Sequence, residues 1–169
     1  MRVTLISHLF PSPEEPLRGP FVAEQARSLS AYADVTAVCG VYGGEDASAV
    51  YDGIAVRYLR LPWNEHLPSK VALASSAAVY ARRVRAWLDM PRRRPDVIHA
   101  HYGFPDGVVG SAVARSMGVP YVVTLHGDDA NIQMRLPVVG PLIASALGSA
   151  AAVVCRSEEH TSELQSRHN

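Results

Sequence analysis

Histidine, tyrosine and aspartate side chains that could bind a ligand or move a proton occur at three places in the sequence. Each place lies at the end of an apolar run: RVTLIS, PDVIHAH and VPYVVTLHG. The groups are His8 at the first place, His99, His101, Tyr102 and Asp106 at the second, and His126, Asp128 and Asp129 at the third. Because imidazoles and carboxylates act as general acids and bases or as metal ligands, chemistry is expected here.

The positions of these groups depend on alternating strands and helices. Short apolar runs predict strands at RVTLIS, DVTAVCG, GIAVRYLRL, PDVIHAH, VPYVVTLHG and AAAVVC. Helices are predicted at GPFVAEQARSLSAYA, about residues 69–90, DGVVGSAVARSMG and residues 142–147. This alternation is typical of an α/β fold, a three-layer Rossmann-like domain with a mainly parallel sheet. Because such sheets bind ligands beyond the carboxyl ends of their strands, the three places should converge on one rim.

Some residues carry more local predictions. Pro20 suits the first position of a helix, and Gly118 is expected to end one. The alternating pattern of GIAVRYLRL predicts a strand near the edge of the sheet. Asp106 precedes a predicted helix, which favours a role as a helix cap. Gly19 and Pro20 open the first helix, where the backbone N–H groups of the next two residues could meet a phosphate.

Composition and motifs exclude several classes of protein. The chain has 169 residues, 48% of them hydrophobic, and a formal net charge of zero, so it can bury a core and lacks an overall basic charge for nucleic acid. Dinucleotide-binding, P-loop, α/β-hydrolase and zinc-protease motifs do not occur. Cys39 and Cys155 fit neither a zinc motif nor a disulfide framework, which favours a cytoplasmic location. Residues 136–155 are uncharged, but their prolines and glycines predict a buried helix and strand rather than a membrane span.

Two further kinds of site remain open on residue type. His99, His101, His126 and Asp129 could hold a metal ion if their loops converge. The long helix and the segment after it carry Arg82, Arg83, Arg85, Arg92, Arg93 and Arg94. These arginines predict either an ordinary solvated face or peripheral contact with anionic lipid on the inner face of the membrane.

Three stretches of the chain together resemble the N-terminal domain of family 4 glycosyltransferases. They are FPSP…GPFVAEQARSLSAYADVTAV, PDVIHAHYGFPDGVVGSAVARSMGVPYVVTLHGDD and AAAVVC, within about residues 2–155. The resemblance implies the GT-B architecture of two facing Rossmann-like domains. It also implies transfer of a sugar, with retention, from a nucleotide-sugar to an acceptor such as a glycan or a lipid-linked sugar. In this family the N-terminal domain mainly binds the acceptor, and no metal or other cofactor is obligatory.

The resemblance also implies roles for residues at the predicted rim. His126 corresponds to a histidine beside the donor sugar, and Asp129 to the aspartate of the family's His-Gly-Ser/Thr-Asp motif; both are expected to be catalytic. Substrate binding is implied for Gly19, Pro20, His101, Tyr102, Gly127 and Asp128. Gly19 matches a glycine near the donor phosphates. Pro20 departs from a second glycine that many members have, and Asp128 replaces the small hydroxyl residue of the motif.

Residues 156–169 differ in composition from the rest of the chain. RSEEHTSELQS resembles the translation of a common sequencing adapter, and Ala, Val, Gly and Pro are absent from residue 156 onward. We expect a non-native, disordered tail at 156–169 and an acceptor-side domain at 1–155. The donor-binding C-terminal domain is then missing, and this chain alone is expected to be inactive. The alternative is a non-catalytic Rossmann-like module that binds a nucleotide or a carbohydrate.

Overall fold

The computed structural model describes residues 1–43, 45–62 and 69–155, with the backbone alone for residues 69–71. The strands are β1 (Arg2–Ile6), β2 (Asp34–Tyr42), β3 (Ala47–Tyr51), β4 (Ile54–Leu61), β5 (Val97–His101), β6 (Tyr121–Leu125) and β7 (Ala152–Cys155). The helices are α1 (Pro20–Ser30), α2 (Ser69–Leu88), α3 (Val108–Met117), α4 (Asp128–Asn131) and α5 (Val139–Gly148). A π-helical turn spans Gly103–Gly107, and a 3-10 turn spans Gln133–Arg135. The tail predicted at residues 156–169 lies outside the described residues.

The strands of the described residues form one sheet in the order β3-β4-β2-β1-β5-β6-β7. Neighbouring strands pair in parallel, except that β3 runs antiparallel to β4. The predicted α/β, Rossmann-like fold with a mainly parallel sheet is therefore confirmed. The sequence analysis did not predict β3, which occupies the edge; β4, predicted near an edge, lies next to it.

Side chains that alternate along the strands divide the core between the two faces of the sheet. On one face, Val22 and Ala26 of α1 pack with buried Leu5, Ala37 and Val56. The opposite face is covered by α2, α3 and α5, whose buried residues include Tyr80, Val84, Leu88, Val109, Val113 and Ile143. Because each fully buried aliphatic or aromatic side chain stabilises the fold by about 1.5–3 kcal/mol, these two layers hold the strands in fixed register.

Two predicted helix boundaries are confirmed, and one predicted cap is wrong. Helix α1 begins at Pro20, and α3 is followed by Gly118, whose φ of 64° ends the helix in the left-handed region. Asp106 does not cap α3, since that helix has no side-chain cap hydrogen bond. The Asp106 carboxylate bonds to His8 instead.

The central strands decide which loops meet. β1, β5 and β6 are neighbours, with Ile6 opposite Ala100 and His101 opposite Thr124. Their carboxyl ends therefore lie side by side at one rim of the sheet. Among the described residues, none of the helices has both the length and the apolar character that a membrane span requires.

Candidate active site

Aromatic and imidazole rings from three strand ends and one helix meet at this rim. The ring centroids of His8 and Tyr102 are 5.0 Å apart, and those of Tyr102 and His126 are 4.5 Å apart. Phe21, the second residue of α1, places its ring 4.9 Å from that of His126 and 6.3 Å from that of Tyr102. We call these four rings the rim cluster. Sequence reasoning missed the side chain of Phe21, although its place after Gly-Pro at the start of a helix is visible in the sequence.

Tyr102 has an unusual backbone that is held from both sides. Its φ of 76° lies in the left-handed region, which is costly for a bulky residue. The N–H of Tyr102 donates to the Thr124 carbonyl oxygen (2.8 Å), and its own carbonyl accepts from the Gly107 N–H (2.9 Å). Burial, followed by the charges of Asp106 and the other nearby carboxylates, raises the pKa of Tyr102 to about 12. The phenol therefore stays protonated at neutral pH.

A stack of three imidazoles supports the rim cluster from inside the sheet. The His99 and His101 rings are stacked at 4.7 Å, and the His101 and His126 rings at 5.4 Å. His101 Nδ1 and His126 Nε2 are 3.2 Å apart, and His99 Nε2 lies 2.8 Å from Thr124 Oγ1. The prediction that His99 and His101 share a face of the strand is thus confirmed.

The buried imidazoles are uncharged at neutral pH. Burial, followed by the neighbouring His126, lowers the pKa of His99 to about 4. Burial, followed by the other two imidazoles, lowers the pKa of His101 to about 2. The His99 and His101 imidazoles can therefore form hydrogen bonds at the site without carrying a positive charge.

Asp129 is fully buried, and both of its carboxylate oxygens accept backbone N–H groups. Oδ1 accepts from His126 (2.9 Å) and Ala130 (3.1 Å), and Oδ2 accepts from Gly103 (2.9 Å). This one side chain joins the turn after β6 to the turn after β5. Its geometry favours the positioning of His126 rather than direct contact with a substrate.

Asp106 is also fully buried, but its contacts are different. Oδ2 lies 2.5 Å from His8 Nδ1, whereas Oδ1 is buried without a hydrogen-bond partner among the described residues. The His8 side chain is 26% exposed at the rim. Sequence reasoning noted His8 only as a residue at a strand end, because its partner lies 98 residues away in the chain.

The turns that carry the predicted substrate-binding glycines also reach this rim. Gly19 has a φ of 63°, and a Cβ there would lie 2.6 Å from the Leu9 carbonyl oxygen, so only glycine fits. Gly127 has a φ of 101°, and Asp128 after it is exposed. The N–H of Val22 donates to the Gly19 carbonyl (3.0 Å) within the first turn of α1. It is therefore not available for a phosphate, contrary to our expectation.

The other predicted sites are less well supported by geometry. Within residues 1–43, 45–62 and 69–155, no group of three or more His, Cys, Asp or Glu side chains is arranged to hold a metal ion. Four of the six arginines are engaged within the chain: Arg83 with Asp46, Arg85 with Asp89, Arg93 with the Trp87 ring and the Met90 sulfur, and Arg94 with the Met117 carbonyl oxygen. Arg82, Arg92, Arg93 and Arg94 are exposed.

A comparison with models of known protein families shows which family the chain belongs to. The family model described as glycosyl transferase 4-like domain matches residues 19–168, which include the rings of Phe21, Tyr102 and His126. The chain belongs to this family.

One curated relative covers nearly the whole chain. The putative teichuronic acid biosynthesis glycosyltransferase TuaC of Bacillus subtilis is 27% identical over 98% of this chain and 46% of its own length. The chain thus spans less than half of this relative.

Solved structures share the fold of this chain. Sucrose-phosphate synthase from Thermosynechococcus elongatus aligns with a TM-score of 0.64 at 15% identity, over 98% of this chain and 44% of the other. Arabidopsis thaliana UGT89C1 complexed with UDP-L-rhamnose aligns with a TM-score of 0.59 at 14% identity, over 92% and 45%. These likenesses agree with the predicted GT-B type of Rossmann-like domain.

Proposed function

We propose that this chain is the acceptor-side half of a glycosyltransferase that transfers a sugar from a nucleotide-sugar to a glycan or lipid-linked sugar, with retention. The single observation that carries the proposal is the rim cluster, which the central strand order of a family 4-like domain assembles from β1, β5, β6 and α1. A rim of rings with a few convergent polar groups is the kind of surface that binds a small, partly apolar ligand.

The chemistry needs two groups of contacts. The leaving nucleoside diphosphate is anionic, and the amino-terminal end of α1 at Gly19 and Pro20 offers it a positive partial charge. Donor and acceptor must also be held together away from water, which two facing domains achieve. The second domain, with most of the nucleotide site, would come from a longer protein, as the lengths of the relatives suggest.

We assign the predicted site residues accordingly. His126 lies beside the donor sugar, and Asp129 holds it there through the backbone. His101 and Tyr102 face the acceptor, while Gly127 and Asp128 shape the turn between the two substrates. We propose no obligatory metal, since helix ends and neutral imidazoles supply the polar contacts. The printed name of TuaC supports an acceptor that belongs to a cell-surface polysaccharide.

We place the reaction in the cytoplasm, with peripheral contact at the inner face of the membrane. The exposed Arg82, Arg92 and Arg93 carry this contact, because Asp46 and Asp89 neutralise Arg83 and Arg85, and Arg94 donates to a carbonyl oxygen of the chain. Replacing Arg82, Arg92 and Arg93 by Glu should abolish binding to vesicles that contain phosphatidylserine, because each basic residue contributes about 1 kcal/mol near such a surface. The matched control replaces Arg83, Arg85 and Arg94; binding that is insensitive to the first set or to salt would contradict the proposal.

The transfer itself is tested on the full-length protein that carries this chain. It is incubated with UDP-glucose, UDP-N-acetylglucosamine or GDP-mannose and a panel of sugar acceptors, and products are identified by mass spectrometry and their anomeric configuration by NMR. We expect acceptor-dependent release of the nucleoside diphosphate, and a strongly reduced kcat for His126→Ala. Binding of nucleotide-sugar without turnover would favour the non-catalytic binding module instead.

A further inference from the structure

A groove lined by arginines lies toward the amino-terminal ends of β1 and β2, away from the rim cluster. Its volume is about 580 Å³, which is within the range of small-molecule sites. We call it the arginine groove, after the residues that give it a positive charge: Arg2, Arg57, Arg92 and Arg93. Asp34 is the one carboxylate among the described residues that line it. The membrane contact proposed above uses Arg92 and Arg93, but it does not explain why Arg2 and Arg57 face the same groove.

The floor of the arginine groove is a row of short side chains across three strands. Thr4 of β1 is paired with Thr36 of β2, which is paired with Ala55 of β4. The next residues on the same face, Ile6 and Val38, belong to the core that α2 covers. The groove therefore begins where this core ends, and its floor carries two hydroxyl-bearing side chains that can bind a polar ligand.

Arg57 lines the groove on the β4 side and is held there by two contacts. Its Nη1 donates to Ser48 Oγ (3.1 Å), and its Nη2 donates to Asp46 Oδ2 (3.0 Å). The same carboxylate oxygen accepts from Arg83 (2.6 Å), so one negative charge faces two positive ones. The Nε of Arg57 is buried and has no hydrogen-bond partner in the described part of the chain. The β4 side of the groove therefore keeps a net positive charge.

The β1 side of the groove carries the other three arginines and one aromatic ring. The guanidinium of Arg93 lies 4.7 Å from the centroid of the Trp87 ring. Arg92 has a φ of 67°, which is costly for a residue with a Cβ, and its carbonyl oxygen accepts from Arg2 Nη1 (3.0 Å). Within the described residues, none of these three guanidiniums forms a salt bridge with a carboxylate. Their charges are therefore open to an anionic ligand.

We propose that the arginine groove binds a phosphate monoester whose organic part is small and hydroxylated, such as a sugar phosphate. A phosphate monoester carries a charge of about −1.5 to −2 at pH 7, which matches the uncompensated positive charge of the groove. Guanidinium groups bind phosphate oxygens through paired hydrogen bonds. The volume exceeds that of a phosphate group alone, and the hydroxyls of Thr4 and Thr36 can bind those of a sugar. The site is separate from the rim cluster and does not depend on the transfer reaction proposed above.

The test is isothermal titration calorimetry of the full-length protein that carries this chain, with glucose 6-phosphate as the probe and glucose as its unphosphorylated control. We expect saturable binding that requires the phosphate. Ala55 is exposed on the floor, so Ala55→Glu adds a carboxylate among the arginines, and Ala55→Gln adds the same bulk without the charge. Ala55→Glu should raise the Kd at least about 10-fold above that of Ala55→Gln, because like charges repel at close range.

A second set of variants removes positive charge instead of adding negative charge. The double variant Arg57→Gln with Arg93→Gln should raise the Kd by about 10-fold or more, because hydrogen bonds to a charged group are the strong ones. Arg27→Gln with Arg115→Gln is the matched control, since it removes the same charge from exposed positions on α1 and α3 outside the groove. The thermal midpoint of each variant separates a loss of binding from a loss of folding.

Phosphatidic acid presents the same phosphate monoester as a lipid head group, so sedimentation with vesicles of phosphatidylcholine and phosphatidic acid is measured in parallel. Binding of glucose 6-phosphate that Ala55→Glu abolishes identifies the free ester as the ligand. Vesicle binding that Ala55→Glu abolishes, without binding of glucose 6-phosphate, identifies the head group, and either result supports the site. Binding of neither probe overturns it, as does binding that Ala55→Glu and the double arginine variant leave unchanged.

Discussion

The two buried aspartates at the rim have the same charge and the same burial but opposite surroundings. Asp129, in the turn after β6, accepts three backbone N–H groups with its two oxygens. Asp106, in the turn after β5, has one oxygen on His8 and the other without a partner among the described residues. A carboxylate whose capacity is filled by the backbone holds a turn in place, whereas one that contacts a partly exposed ring holds a side chain. The two carboxylates therefore differ in what they hold: Asp129 holds the backbone of two turns, and Asp106 holds the His8 ring.

The same substitution at both positions tests this contrast through stability, and the larger effect belongs to Asp129. In Asp129→Asn an NH₂ group faces a backbone N–H, and at least one buried donor loses its acceptor. We expect the free energy of unfolding to fall by about 3 kcal/mol. Urea unfolding measures this value. Asp128→Asn is the control, because its exposed side chain should change stability by less than about 0.5 kcal/mol. Equal losses for the two variants would show that Asp129 does not hold the turn.

The stack of the His99, His101 and His126 imidazoles gives the next largest effect, through pH. The pKa values of His99 and His101 are lowered to about 4 and about 2 in the folded protein. As the pH falls below about 6.5, the unfolded chain binds protons that the folded chain does not, so stability is lost on acidification. Each histidine approaches a slope of about 1.4 kcal/mol per pH unit only well below pH 6.5, because its unfolded form is half protonated at that pH. The two together therefore lose roughly 2 kcal/mol between pH 6.5 and 5.5. Urea unfolding at pH 7.0 to 5.5 should show this slope, and a variant with His99→Gln and His101→Gln should have a flatter one.

Tyr102, which begins the turn after β5, gives a smaller and more specific effect. Because its φ of 76° is costly for any residue with a Cβ, Tyr102→Gly should be more stable than Tyr102→Ala by about 1 kcal/mol. This order is the reverse of the usual one, in which glycine is the less stable. Both variants lose the same ring, so the difference between their urea midpoints isolates the backbone. An Ala variant as stable as the Gly variant would mean that the turn relaxes without cost.

Asp106→Asn should have the smallest effect on stability, less than about 1 kcal/mol. The lost hydrogen bond to His8 is offset by removal of a buried charge, and the His8 ring left behind is partly solvated. A loss as large as that of Asp129→Asn, measured by urea unfolding in parallel, would erase the distinction between the two aspartates.

The order of elements could be predicted because it rests on local patterns. Runs such as VTLI and YVVTL are apolar for the length of a strand, and Pro20 and Gly118 mark helix ends through their own backbone preferences. β3 was missed, since its outward-facing residues form no apolar run and it gains its order from pairing with β4. β4, which was predicted near an edge, lies one strand away from it, because β3 forms the edge.

The sequence predicted which strand ends carry the candidate site. It did not predict which side chains contact each other there. The rule that ligands bind beyond the carboxyl ends of parallel strands located His101, Tyr102 and His126 correctly at one rim. The ring of Phe21 was missed because only the start of α1, and not its side chains, entered that reasoning. Asp106 was misjudged as a cap, because a sequence neighbour was the only partner that local reasoning could offer it.

The sequence by itself determined the strand–helix order, the family and the residue types that gather at the rim, because these follow from periodicity, turn chemistry and motif spacing along the chain. Only the tertiary structure decided which of those residues touch. The strand order β1-β5-β6 brings His8 to Asp106 and His101 to His126, and burial keeps His101 uncharged. Pairing between strands that are distant in sequence depends on packing over the whole sheet, and no local stretch of the chain carries that information.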